Sequence, residues 1–260
     1  MSQPHDADNL LDRHSEPATL QVHYDHEERR ERALLGRRLG LGAGEVLSVG
    51  CGWHPGRQLF PAPRWRLTGV DIEPAMIEHL VASGEIDAGQ PGRAGALDFP
   101  PASFDVVLYR LVLHHLDFQA PLAPVFAEAA RLVRPGGALV AIEPGLWHPV
   151  GAALGVANRA GLGTRIHGTP DDIPLSPRLL AREARAAGLE PELHAVTFGW
   201  RRLPQPVQRA LHRIDPLGSR KRLAPLGHTL MLIARRSSAS GMPKLGASTG
   251  PPTGLQPSRS

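Results

Sequence analysis

Val46-Leu-Ser-Val-Gly-Cys-Gly-Trp-His-Pro-Gly56 is the stretch on which the reading of this chain turns. A short apolar run stops at two glycines, Gly50 and Gly52. Without a Cβ the backbone can turn tightly there and approach a ligand closely. A second apolar run, Leu67-Thr-Gly-Val-Asp71, ends in an acid about twenty residues after Gly50. A carboxylate at that place can accept both ribose hydroxyls of a nucleoside-type cofactor. An acid at a strand end is otherwise a common helix cap; the glycine turn just upstream favours the functional reading.

The same rhythm continues outward. Apolar runs fall at Glu45–Gly50, Arg66–Asp71, Phe104–Tyr109, Ala138–Glu143, Glu192–Phe198 and Thr229–Ala234, with a weaker one at Gly92–Leu97. Helices are predicted over 24–39, Pro74–Ser83, Pro121–Val133 and Pro177–Ala187. The last has Ser176 to cap it, Pro177 at its first position and Gly188 to end it. Strands alternating with helices predict a parallel sheet covered on both faces, with ligands at the carboxyl ends of its strands. The polar start, 1–23, reads as a flexible arm, and the Ser-, Gly- and Pro-rich tail, 237–260, as disordered.

With 260 residues, 42% hydrophobic and 21% charged, the chain has the length and composition for one domain with a real core. One cysteine, Cys51, excludes a disulfide scaffold. The longest clean apolar run, Ala138–Ile142, is far short of the roughly 20 residues that span a membrane. The N-terminus shows neither a basic start nor an apolar stretch, so a cytoplasmic location is the expectation. The net charge of +4 is carried almost wholly by scattered arginines, and only 5% of residues are aromatic. Nucleic acid is therefore not an expected partner.

Two further pieces complete the pattern: Ser103-Phe-Asp-Val-Val-Leu-Tyr-Arg-Leu-Val-Leu-His-His-Leu116 and Ala129-Ala-Arg-Leu-Val-Arg-Pro-Gly-Gly-Ala-Leu-Val-Ala-Ile-Glu-Pro144. In this order and spacing the four pieces resemble the class I S-adenosylmethionine-dependent methyltransferases, most of all the branch that modifies small molecules. The resemblance spans about residues 25–236. It implies an α/β fold: a Rossmann-like seven-stranded, mostly parallel sheet with helices on both faces and an antiparallel last hairpin. The domain would run from 24 to 236, with an N-terminal lid helix and a cap insertion at 147–175 over the acceptor pocket. Leu154, Val156 and Leu162 in that cap suggest a partly hydrophobic substrate.

The resemblance also implies site residues. Gly50, Cys51 and Gly52 would line the methionine part of S-adenosyl-L-methionine with backbone, the Cys51 side chain being a small apolar filler rather than a nucleophile; Asp71 would bind the ribose and Ile72 would lie on the adenine. Ala96 and Leu97 would flank the adenine edge, with Tyr109 and Arg110 near the amino-acid end. Three departures stand out. Trp53-His-Pro55 lengthens the glycine loop, and Pro61 and Pro63 leave room for only a very short helix after it. Ser48 replaces the usual acid before the last glycine of the first strand. Arg93 stands where the family often has an acid, with Asp98 nearby.

Methyl transfer is an in-line displacement for which the protein aligns the acceptor, and a base helps when the acceptor must lose a proton. Among 13 histidines, His115, just past the fourth strand, is the leading candidate, paired with Tyr24 of the lid as a dyad like that of phosphoethanolamine-type relatives. His148, after the fifth strand, is the next candidate. Histidines and carboxylates show no metal-ligand spacing, so no metal is expected. The expectation is transfer of a methyl group to the O, N or C of a small organic acceptor, in secondary metabolism for example. The alternative is a methyltransferase-like fold that binds the cofactor without methylating, as a cyclase or a partner subunit. A nicotinamide-dependent dehydrogenase fits poorly: Gly50-x-Gly52-x-x-x-Gly56 has the wrong spacing, and there is no Tyr-x-x-x-Lys pair.

Overall fold

The computed structural model describes residues 18–52, 54–161 and 173–238. The expectations for the rest of the arm, for 162–172 of the cap, with Leu162, and for the tail beyond 238 lie outside the described residues.

The chain opens with helix α1 (Ala18–Leu39). Strands β1 (Gly44–Val49) and β2 (Trp65–Asp71) follow, then α2 (Pro74–Ala82), β3 (Ala88–Pro91) and β4 (Phe104–Arg110). Next come α3 (Leu113–Gln119), α4 (Ala123–Leu132), β5 (Val133–Pro144) and α5 (Pro149–Arg159). Helix α6 (Pro177–Ala186), β6 (Glu190–Thr197), α7 (Gln205–Ile214) and β7 (Thr229–Arg235) complete the domain.

The seven strands form one sheet in the order β3-β2-β1-β4-β5-β7-β6. All run parallel except β7, which is antiparallel to both β5 and β6. From β1 the chain first winds outward to β3 and then returns to β4, so the switch point lies between β1 and β4, where such sheets bind their ligands. Alternate strand residues feed two cores. On one face Leu47, Val107, Tyr109 and Leu139 pack with Phe126 of α4 and Leu180 of α6. On the other, Val46, Leu67, Leu108 and Val140 pack with Leu34 of α1 and Leu80 of α2. Burial on both faces explains why these strands read as unbroken apolar runs.

Two boundaries differ from the sequence reading. Helix α1 begins at Ala18 rather than residue 24, because its first turns are held by a tertiary contact: His23 is buried against His212 of α7. The third strand is Ala88–Pro91, not Gly92–Leu97. Its sequence, Ala-Gly-Gln-Pro, carries no β-branched residue. A Cβ on Gly89 would sit 2.8 Å from Ile77 Cγ2 and 2.9 Å from Ile86 Cδ1, so the close approach of α2 selects glycine there. Beyond Pro91 the Gly92 N–H still bonds to the Asp71 carbonyl, and then Arg93–Ala96 folds into a tight turn.

Candidate functional site

Two cavities open at the carboxyl edge of the sheet. The first, about 470 Å³, lies over the ends of β1, β2 and β4. Gly50, Gly52, Asp71, Ile72 and Arg110 are on its wall, with Gly92, Ala94, Leu111 and His115. Gly50 has φ +64, the left-handed turn that lets β1 end abruptly. Gly52 donates its N–H to Asp71 Oδ2 at 3.0 Å, and Glu73 donates its N–H to Asp71 Oδ1 at 3.2 Å. These bonds orient the carboxylate and leave each oxygen with further acceptor capacity. Beside it Ile72 is 74% exposed, a large apolar surface on a cavity wall. Arg110 is held by Glu31 of α1 through a two-pronged ion pair at 3.1–3.3 Å. Burial raises the Glu31 carboxyl from 4.5 to about 7, with the Arg110 charge opposing the rise.

The second cavity, about 330 Å³, lies between α1, α3, α5 and the insertion of the last hairpin. Tyr24, Glu27, His114, His115, Trp200 and Arg201 are among its lining. Arg201 Nη1 donates to the Tyr24 hydroxyl at 2.8 Å. Thr229 donates to Glu27 at 2.6 Å, and burial raises the Glu27 carboxyl. His228, also on the wall, is pushed down to about 3 by burial and neighbouring positive groups, so it is neutral at pH 7. His54, Leu111 and His115 line both cavities, so the two meet at these residues. Leu111 holds φ +58, a left-handed conformation that a leucine rarely adopts, where β4 gives way to α3.

The seat of His115 is built by one buried acid. Glu143, near the end of β5, accepts the N–H groups of Val112 and Leu113 at 3.0 and 2.8 Å, two donors at the start of α3. Its other oxygen is 2.6 Å from His114 Nδ1. His114 thereby anchors the helix turn on which His115 rides.

Several expected site residues are placed elsewhere. Cys51 is fully buried, its N–H bonds to the Val70 carbonyl, and burial pushes its thiol up to about 12: it is filler under the loop, off the cavity wall. Tyr109 points into the core, its hydroxyl 3.5 Å from the Val125 carbonyl, because it alternates with Arg110 across the sheet. Leu97 is buried with its N–H on Glu128, and Ala96 closes the turn with Arg93; the earlier end of β3 puts Gly92 and Ala94 on the wall instead. His148 caps α5: Val150 N–H donates to its Nδ1, and its Nε2 lies 3.2 Å from the Phe198 carbonyl. Both ring nitrogens are engaged, burial lowers its basicity, and it is on the wall of neither of these two cavities. In the segment expected to form a cap, Leu154 lines the second cavity, whereas Val156 is exposed and is not on its wall.

Sequence reading passed over Glu27 and Glu31. Their spacing from Tyr24, at i+3 and i+7 on one helix, was the available signal, since it puts all three on one face. Among the described residues no helix lies between the glycine loop and β2, where Pro61 and Pro63 had left room for a very short one. Among the described residues no helix is long and apolar enough to cross a membrane.

The nucleoside-sized cavity at the switch point, the doubly anchored Asp71, the exposed Ile72 and the glycine turn all fit S-adenosylmethionine. With this sheet order, they resemble the cofactor-binding part of the class I S-adenosylmethionine-dependent methyltransferases. Residues 47–141 match the protein family described as Methyltransferase domain. A Mycolicibacterium smegmatis protein named "Probable S-adenosylmethionine-dependent methyltransferase" is 33% identical over 100 residues, 38% of this chain and 38% of that protein. The malonyl-[acyl-carrier protein] O-methyltransferase of Hahella chejuensis is 36% identical over 100 residues, 37% of this chain and 35% of that one. The chain thus spans well under half the length of these relatives. A solved geranyl diphosphate methyltransferase in complex with S-adenosylmethionine shares the fold, with a TM-score of 0.54, 17% identity, and coverage of 90% of this chain and 93% of that one.

Proposed function

We propose that this protein transfers a methyl group from S-adenosylmethionine to a small organic molecule held in the second cavity. The observation that carries this reading is the junction of the two cavities at His54, Leu111 and His115. A cofactor in one and an acceptor in the other would meet there. The bound cofactor supplies an activated methyl group on a sulfonium centre. The chain supplies alignment, exclusion of water and a proton acceptor.

Asp71 accepts the ribose hydroxyls, and Ile72 covers one face of the base. Arg110, fixed by Glu31, borders the amino-acid end of the cofactor. In the acceptor cavity Arg201 and Tyr24 hold a polar group of the substrate, while Leu154 and Trp200 contact its apolar part. His115 takes the proton released as the acceptor atom gains the methyl group. Helix α1 roofs the acceptor side and keeps water out.

Calorimetric titration with S-adenosylmethionine and S-adenosylhomocysteine tests the cofactor half: saturable one-to-one binding is expected, and no binding to either overturns it. A screen of acceptors for release of S-adenosylhomocysteine tests the transfer. With a competent acceptor, His115→Ala is expected to lower kcat by roughly 10²–10⁴-fold, with cofactor affinity changed only severalfold. Unchanged turnover removes His115 from the reaction. The missing helix after the glycine loop favours a second reading, binding without transfer. Tight binding with no turnover on any acceptor class would select it.

A further inference from the structure

Helix α1 carries His23 and His26, three residues apart, and the end of α7 carries His212 with Asp215 three residues beyond it. Residues at this spacing share a helix face. The two faces meet. His26 Nε2 is 2.7 Å from Asp215 Oδ2, and His23 Nδ1 is 3.3 Å from His212 Nε2. The ligand atoms of His26, His212 and Asp215 all lie within 4.8 Å of one another.

We propose that His26, His212 and Asp215 bind a divalent cation of the zinc type, with water in the fourth position, and so tie α1 to α7. Two imidazoles and one carboxylate are a zinc donor set that leaves one position open. In a tetrahedral zinc site with bonds of about 2.0–2.1 Å, neighbouring ligand atoms sit roughly 3.3 Å apart. His23, outside this group, holds the His212 ring, with its Nδ1 3.3 Å from His212 Nε2. The His26–Asp215 pair opens by about 0.6 Å by the same geometry. His26 and His212 stack face to face, 3.7 Å between centroids, so both rings must swing about their Cβ–Cγ bonds to bring their lone pairs to one point. That motion belongs to side chains alone.

The surroundings favour a site. Asp215 is fully buried, and its Oδ1 accepts the Phe198 N–H at 2.8 Å, which fixes the carboxylate as an outer-shell bond does in metal centres. The nearby Arg30 guanidinium is engaged by the carbonyls of Val196 and Asp215, at 3.3 and 2.6 Å. A separate cavity of about 230 Å³, lined by Val22, Gln205, Gln208, Arg209 and His212, gives an entry path. His23 also lines the acceptor cavity, so a bound ion would fix the lid beside Tyr24.

The test uses the full chain, stripped with a chelator and titrated with Co²⁺ as a spectroscopic probe, then with Zn²⁺ in competition. One equivalent of Co²⁺ with the intense visible bands of a four-coordinate centre, displaced by Zn²⁺, is expected. His212→Ala, on a partly exposed helix, and His26→Ala, on the other helix, are each expected to weaken binding at least tenfold. Folding is checked by circular dichroism, and the readout is independent of methyl transfer. No saturable binding, a weak six-coordinate spectrum, or affinity unchanged in both variants overturns the proposal.

Discussion

Asp71 and Tyr109 sit at comparable places, at the ends of β2 and β4, yet their surroundings give them opposite tasks. Asp71 is fixed by two backbone N–H groups and faces a cavity. A carboxylate accepting two ribose hydroxyls makes hydrogen bonds of about 1.5–3 kcal/mol each. Asp71→Ala is therefore expected to raise the calorimetric Kd for S-adenosylhomocysteine at least about 100-fold while the circular dichroism spectrum is kept. Retained tight binding would move the ribose site elsewhere. Tyr109 lies in the core against α4. Tyr109→Phe removes one long hydrogen bond and no packing, so a loss of about 0.5–1 kcal/mol in urea unfolding is expected, with cofactor affinity unchanged. A weakened cofactor would return Tyr109 to the site.

The elements explain which side chains reach the cavities. Strand β3 is four residues of weak strand formers, held at the sheet edge by its pairing with β2 and by the contact of Gly89 with α2. Gly89→Ala forces Ile77 and Ile86 to move, and overpacking of this kind costs about 1–3 kcal/mol. Chemical denaturation should show that loss together with a weaker cofactor site, because Gly92 and Ala94 take their places from the end of β3. An unchanged midpoint would mean that α2 can retreat freely. Helix α3 works the other way. It is only seven residues long, yet Glu143 satisfies two of its first N–H groups and so gives His115 a fixed platform.

At the scale of the molecule, helix α1 is joined to the sheet by a buried charge pair. Glu31 of α1 holds Arg110 of β4, and burial raises the Glu31 carboxyl from 4.5 to about 7. The folded state thus keeps this proton more tightly than the unfolded chain. Below about pH 4.5 both states are protonated; between about 4.5 and 7 the unfolded chain gives up the proton first, so the native state loses stability across that interval, on the order of 3 kcal/mol in all, and no more above it. Glu31→Gln cannot ionise and escapes that loss. Its melting temperature relative to the parent protein should therefore be more favourable at pH 8 than at pH 5. An equal difference at the two pH values would show that Glu31 titrates as an ordinary exposed acid.

The sheet and the loop ends that border the switch-point cavity were legible in the sequence because they rest on local signals. Apolar runs fully buried on both faces, the turn at Gly50 and the acid closing β2 are each written within a few residues. Pro61 and Pro63 signalled that any helix after the glycine loop is very short, and among the described residues none forms there. Side-chain destinations were not. Tyr109 and Arg110 are neighbours, and only the pleat of a finished strand decides which one faces core or cavity. The start of α1, the edge strand β3, the Glu31–Arg110 pair and the His26–His212–Asp215 cluster depend on contacts between segments far apart in the chain, 189 residues for His26 and Asp215. No periodicity records such contacts. The tertiary structure alone brings those groups together, because the burial that holds each in place belongs to the whole fold rather than to its own segment.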